Sequence, residues 1–355
     1  MPAISVDTFF ACALMVLLVL SAMATTSKIL YPHINNDVDA FAAERYREIS
    51  KYLLLSSGAP LNWGQNDEII PETFGLAKTN AHDPYELDID KVSRLNSENV
   101  HGLSYAQIFT ALGMPDVSFR IEIKPLFEVV INLTASLEGT NKTIYQFEIL
   151  TRRHGIQIRT ELKHYIIAEN YLEETVAYAS DGVAYVNVTL SNDVGGPALF
   201  VVFAKAASNA NILSFGVYAF THNSREPKAR GTFLRLSPLN HTLNASLVYP
   251  EINMSKTYAL TYNYHTILNE TSSSNQSAKY NILRLVNPSP ILLVATGWNF
   301  TDFFTEWVAY PQIPIQVGAN FDVSTALSNV YANTYVVTVN SALYECTVWF
   351  GGPRK

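Results

Sequence analysis

From Val117 onward apolar side chains fall on alternate positions, and that period decides the fold class. In VSFRIEIK, Phe119, Ile121 and Ile123 alternate with Ser118, Arg120, Glu122 and Lys124, the pattern of a half-buried strand. Tyr145, Phe147 and Ile149 repeat it, as do Ile156 and Ile158. ALFVVFAKA and ILSFGVYAF are near-continuous apolar runs of strand length, which suits strands buried on both faces. In TVAYASDGVAYVNVTL, Asp181-Gly182 separates two β-rich runs and predicts a hairpin, because both turn residues tolerate positive φ. The stretch 117–222 therefore predicts a β-sandwich. HNSREPKARG at 222–231 is polar, with Pro and Gly, and predicts a linker. Beyond it ILLVATGW, EWVAYPQIPIQV and TYVVTVNSALYECTVWF are again strand-like, so 223–355 predicts a second β-rich domain. TSSSNQS at 271–277 predicts a polar loop tip between strands.

The first third differs in period. Ile4–Met23 is apolar apart from Ser5, Asp7, Thr8 and Ser21, and its length matches a hydrocarbon core about 30 Å thick. Two readings compete for residues 1–26. Ala22-Met23-Ala24 is a small-residue cleavage site after an apolar core, as in a secretory signal peptide. Against cleavage, Met1–Asp7 carries no Lys or Arg and the run Phe9–Leu20 is long for a signal core. The expectation is a retained transmembrane helix; the alternative is a protein secreted after cleavage near Ala24.

Residues 27–116 predict a membrane-proximal helical region. Val38, Phe41, Ala42, Tyr46, Ile49 and Leu53 recur at three and four, with Asn36 as cap and Gly58 and Pro60 as stop. Pro32 predicts a break from the segment before it. Glu44–Arg47 and Glu48–Lys51 are spaced to pair on the polar face. Two shorter helices follow, one capped by Asp88 and one capped by Ser104 and closed by Gly113.

ISVDTFFACALMVLLVLSAM resembles the N-terminal segment of archaeal type IV pilin-like proteins with class III signal peptides. The resemblance places Ser5 and Asp7 at the family's Ser-x-acid pattern ahead of the continuous apolar helix. The family's basic residues and glutamine before the cleavage point are absent from Met1–Ala3. LLLSSGAPLNWG, FGLA, YELDIDKVSRL and YAQIFTALG resemble the membrane-proximal part of the same surface proteins, about residues 1–125 in all. SDGVAYVNVTL within 117–222 is similar to immunoglobulin-like and carboxypeptidase-regulatory-like modules. The resemblance implies a surface protein whose helix packs in a membrane or filament, and makes Asp7 an assembly candidate that can pair with a neighbouring subunit's N-terminal amine; the plainer reading is a carboxylate that reaches interfacial water and pairs with nothing.

Composition narrows the chemistry. Twenty-four basic residues against 31 acidic give a net charge of −7, which argues against nucleic acid as a partner. HExxH, CxxC pairs, GxSxG, Walker and GxGxxG patterns are absent, so no catalytic residue, cofactor or metal is expected and the chain is read as not an enzyme. Asp83, Glu86, Asp88 and Asp90 in DPYELDID are close enough to hold calcium but lack the glycine of an EF-hand loop; a solvated helix start is the plainer reading. Arg152, Arg153 and His154 suit an anion or, more simply, an exposed turn. His164 reads as packed or solvated, and Cys346 as a buried strand thiol. Trp298, Trp307 and Trp349 could stack on sugars, although strand aromatics usually fill cores.

One signal exceeds chance. N-x-S/T sequons stand at Asn132, Asn141, Asn187, Asn240, Asn244, Asn253, Asn269, Asn275 and Asn299, where roughly four would arise at random from the Ser/Thr content. No asparagine between residues 27 and 131 forms one. The sequence therefore predicts a mainly β, glycosylated, extracytoplasmic cell-membrane protein. Its expected work is structural or adhesive, with lipid, itself or pilin-like subunits as partners. A glycan- or peptide-binding protein is the alternative.

Overall fold

The computed structural model describes residues 6–284, 290–321 and 330–351, and within the first helix the side chains of residues 14–26 and from 41 onward. The chain forms two units, Met1–Lys51 and Tyr52–Lys355.

The described residues of the first unit form one element. Helix α1 runs unbroken over Val6–Leu55, and its last residues open the second unit. The break expected at Pro32 and the helix start expected at Asn36 are therefore corrected: one helix passes through both. A proline inside a helix removes one hydrogen bond and crowds the preceding turn, at a cost of about 3 kcal/mol, yet α1 continues through it. The pairs Arg47–Glu44 and Lys51–Glu48, the latter at 2.7 Å, form as their spacing predicts. Among the described residues no helix is long and apolar enough to cross a membrane, and the described side chains of the apolar run begin at Leu14.

The second unit is mainly β. After α1 come β1 (Glu86–Leu87), α2 (Ile89–Ser93) and α3 (Tyr105–Leu112). Next are β2 (Ser118–Pro125), β3 (Glu128–Glu138), β4 (Lys142–Arg153), β5 (Ile156–Gln157), β6 (Thr160–Ala168), β7 (Tyr171–Ala179), β8 (Val183–Ser191), β9 (Ala198–Ala206) and β10 (Leu213–Phe220). The rest are β11 (Leu234–Leu239), β12 (Thr242–Leu247), β13 (Ile252–Leu260), β14 (His265–Ile267), β15 (Glu270–Ser274) and β16 (Ser277–Asn281), then β17 (Ile291–Asn299), β18 (Asp302–Tyr310), β19 (Ile315–Gly318), β20 (Val330–Val339) and β21 (Ala342–Gly351).

Four sheets stack face to face. β3, β4, β5 and β8 form the first, and the second has the order β10-β9-β6-β7. Phe147, Ile149 and Val186 of the first meet Leu162, Phe200 and Val202 of the second in one buried cluster, a β-sandwich. The other face of the second sheet carries Tyr165, Ile167, Val201 and Phe203. These pack against Tyr258, Leu260, Leu292 and Val294 of the third sheet, β14-β13-β17-β18. The third sheet in turn packs Ala259, Leu293 and Phe304 against Leu236, Leu243 and Tyr280 of the fourth, β11-β12-β16-β15. The central strands of the two inner sheets are buried on both faces. That is why β9 and β17 read as unbroken apolar runs in the sequence.

This stacking corrects the division at 222–231. Residues 222–231 contain no strand, but the sheets on either side of them share a core. The lower boundary moves as well. β2, expected to begin the sandwich, joins a fifth sheet of order β1-β20-β21-β2-β19, where Ile121 faces Val348 and Ile123 faces Cys346. From Tyr52 on, the expected helical region 27–116 is likewise part of this unit, since β1 pairs with β20 and Tyr105 stacks on Phe119 at 5.2 Å.

Two local expectations also change. Asp181-Gly182 makes a turn with Gly182 at φ 75°, but β7 pairs with β6 and β8 with β4, so the turn arches between two sheets. Turn chemistry fixes local dihedrals and not the partner strand. TSSSNQS is not a loop tip: most of it is β15, with its turn at Asn275-Gln276. A strand of Thr and Ser exposed on every side chain carries no apolar alternation to reveal it.

Candidate functional site

The acids of DPYELDID are taken up by local contacts around α2. Asp88 caps α2, its Oδ1 accepting from the N–H groups of Asp90 (2.9 Å) and Lys91 (3.1 Å). Glu86 pairs with Lys78 at 2.5 Å. Asp90 is buried and its Oδ1 accepts from Tyr310 Oη at 2.7 Å and from the Asn240 N–H at 2.8 Å. Burial pushes its pKa up to about 6, against the lowering effect of those two donors. Among the described residues no three His, Cys, Asp or Glu side chains gather as metal ligands. These acids cap and clasp.

Beside them lies a buried cationic pair that sequence reading passes over. Lys91 donates to the carbonyls of Ser57 and Ala77, both at 2.8 Å. Arg94 donates to the carbonyls of Trp63, Asn66, Ile69 and His101. Both cations stand over the indole of fully buried Trp63, at 5.8 and 5.7 Å. Burial lowers the pKa of Lys91. The arrangement fixes the irregular stretch before α2 by filling its carbonyls, a structural task.

One concavity centres on Trp307 and Arg230. Three adjoining clefts of about 500, 390 and 320 Å³ each include both residues in their walls. The guanidinium of Arg230 lies 4.7 Å from the Trp307 ring centroid and pairs with Glu98. Phe215 meets the same indole edge-on at 6.4 Å. The largest of these three has an apolar wall of Phe215, Val217, Ile313 and Pro314 facing the polar groups of Asn96, Glu98, Gln312 and Gln316. An aromatic and aliphatic wall beside several polar and charged groups could take an amphipathic ligand such as a sugar or a peptide side chain.

Glu306 positions Arg230. It lies in the inward register of β18 with Phe304, Val308 and Tyr310, yet is charged and buried. Its carboxylate accepts from the N–H groups of Gly231 (2.8 Å) and Phe233 (3.0 Å), pinning the end of the 222–231 segment. Burial raises its pKa while the backbone donors oppose the rise. A carboxylate in an apolar alternation was the available signal for this site; Arg230 itself gave none.

The remaining sequence candidates scatter. Seven sequon asparagines are exposed: Asn132, Asn141, Asn187, Asn240, Asn253, Asn269 and Asn275. Asn244 and Asn299 are half-buried, and each has a buried Oδ1 without a hydrogen-bond partner among the described residues. Asp7 lies in α1 with its side chain outside the described residues. Arg152 pairs with Glu128 at 3.3 Å, while Arg153 and His154 approach Glu345 at 3.9 and 4.0 Å, on a turn where His154 has φ 48°. His164 is core, edge-on to Phe200 at 5.4 Å, and burial holds its pKa down at about 4. Trp298 packs against Phe303 at 5.4 Å, and Trp349 lies under Arg120 at 4.2 Å. Cys346 is buried in β21, which raises its pKa to about 12.

No family model matches the chain, and no curated protein matches it. Among solved structures it is similar to HBP35 of Porphyromonas gingivalis at 13% identity, over 57% of this chain and 67% of that one. The TM-score is 0.19, too low to support an argument about fold or function.

Proposed function

We propose that this is a single-pass, extracytoplasmic cell-membrane protein in which an N-terminal helix holds a layered β body that has a structural or adhesive task. One observation carries the reading. The seven consecutive residues Leu14–Leu20 are all apolar and all between 54% and 71% exposed. Seven residues at 3.6 per turn cover every face of a helix, and a helix apolar all round needs lipid or other helices about it. The resemblance to archaeal type IV pilin-like proteins and to immunoglobulin-like modules belongs to this reading, as do the sequons and a role for Asp7 in assembly. Carbonate washing of native membranes should leave the protein in the pellet. A soluble product beginning at Thr25 would replace this reading with secretion after cleavage.

The Trp307–Arg230 cleft favours a second reading, recognition of a glycan or peptide by the β body. Glycan and peptide arrays probed with wild type and with Trp307→Ala test it: binding must appear, and must fall at least tenfold in the variant.

A further inference from the structure

Most sheet ends in this molecule are closed. β1, β5, β14 and β19 are two to four residues long, too short to template another strand. β10 lies against β3, β7 against β8, and β11 against β18. The approach at β10 is close: a Cβ on Gly216 would meet the Val129 carbonyl oxygen at 2.7 Å.

β15 differs. It ends the fourth sheet, pairs with β16, and has no strand on its other side among the described residues. All five of its side chains are exposed. A register shift between Glu270 and Ser272 bends its start, but Ser272, Ser273 and Ser274 then run in regular register with Lys279, Ala278 and Ser277. Glu270 is its one charge, and it carries neither lysine nor proline, the side chains that usually discourage edge pairing. Thr and Ser supply no repulsion of their own.

Two sequons bracket this strand. Asn269 directly precedes it and Asn275 directly follows it, with Thr271 and Ser277 as their hydroxyl residues. Both asparagines are exposed, and neither side-chain amide makes a hydrogen bond among the described residues. Asn132 contrasts with them, since its amide is engaged with Glu148 at 3.3 Å. A five-residue strand spans about 17 Å, so a bulky hydrated glycan at each end reaches over the whole edge.

We propose that Asn269 and Asn275 are N-glycosylated and that the two glycans shield the β15 edge from pairing with the β15 edge of a second copy. The inference rests on the glycoprotein reading above and adds to it a place and a task. Glycans do here what a lysine or a bulge does on other edges.

The test uses the full-length protein from its native membranes. Glycopeptide mass spectrometry should find both sites occupied. Light scattering is then compared between wild type and the pair Thr271→Ala with Ser277→Ala, which removes both sequons and keeps both asparagines. At equal concentration the associated fraction should rise at least fivefold, with an unchanged thermal midpoint. Adding Ser273→Lys to that pair should restore the wild-type state by an independent edge charge. Glycans at other sequons with bare Asn269 and Asn275 overturn the proposal alone. So does occupancy of both sites with no change in association, or association that Ser273→Lys leaves in place. Bare asparagine at every sequon removes the glycoprotein reading as well.

Discussion

Tyr310 donates its hydroxyl to Asp90 at 2.7 Å across 220 positions of sequence. The contact joins the end of β18 to the first turn of α2, and the Asn240 N–H completes it from the β11–β12 turn. Three distant segments thus meet on one carboxylate. His241 stands edge-on to the same tyrosine at 5.6 Å, and the charges of Asp88 and Arg284 also act on Asp90.

The clasp makes stability depend on pH in an unusual direction. Asp90 has its pKa raised from 3.8 to about 6, so between those values the folded chain holds a proton that the unfolded chain has released. Its contribution is therefore most favourable below pH 4 and weakens as pH rises through 6. Two pKa units correspond to about 2–3 kcal/mol. In Asp90→Asn the amide oxygen can accept both bonds and never ionises. Urea melts from pH 4 to 8 should show a flatter profile for the variant and a gain of about 1–3 kcal/mol at pH 7. A variant as pH-dependent as wild type would place the titration elsewhere.

How much of this could be read in the sequence depends on whether the information is local. Asp88, Ser104 and Gly113 were legible because a cap acts within four residues, and all three stand where their chemistry puts them. β2, β9 and β17 were legible from period and length. Partner choice was not. Nothing in VSFRIEIK says that its neighbours are Ile315–Gly318 and Ala342–Gly351, because pairing is decided by closure of the whole body. The linker reading of 222–231 failed for the same reason: polarity and proline are local, whereas the carboxylate of Glu306 that holds Gly231 comes from β18.

That carboxylate gives a second prediction. Glu306→Ala removes the acceptor of the Gly231 N–H and leaves the buried Phe233 N–H unpaired, and should cost about 1–3 kcal/mol. It should also free Arg230 from its place over Trp307. Tryptophan fluorescence of the variant should shift to the red, and trypsin should cut at Arg225, Lys228 or Arg230 faster than in wild type. Equal cleavage rates would mean that Glu306 does not hold the segment.

The sequons should not be filled evenly. Asn244 and Asn299 are half-buried with an inward Oδ1, so their amides are poorly presented, whereas the other seven are exposed. Glycopeptide mapping of native protein should give lower occupancy at Asn244 and Asn299 than at Asn132, Asn187 or Asn253. Full occupancy at Asn244 would show that modification precedes folding of β12.

The layered stack makes the last prediction, which replaces release of a fragment by a cut at the expected linker. Phe203 of β9 packs in a cluster with Leu260, Leu292 and Val294 from beyond residue 231. Phe147 of β4 packs in a cluster drawn, among the described residues, from positions between 127 and 220. Removing either ring should cost about 3–5 kcal/mol. If the sheets fold as one body, Phe203→Ala and Phe147→Ala lower the same single thermal transition. A chain nicked between residues 225 and 230 should keep both parts associated on a sizing column under native conditions. If instead the two halves were independent, Phe147→Ala would split the melt in two, leaving the transition of the C-terminal sheets in place, and the nicked halves would elute apart. Calorimetry of the two variants and of the nicked protein decides between these outcomes, and the buried cluster shared across β9 and β17 leads us to expect one transition and one peak.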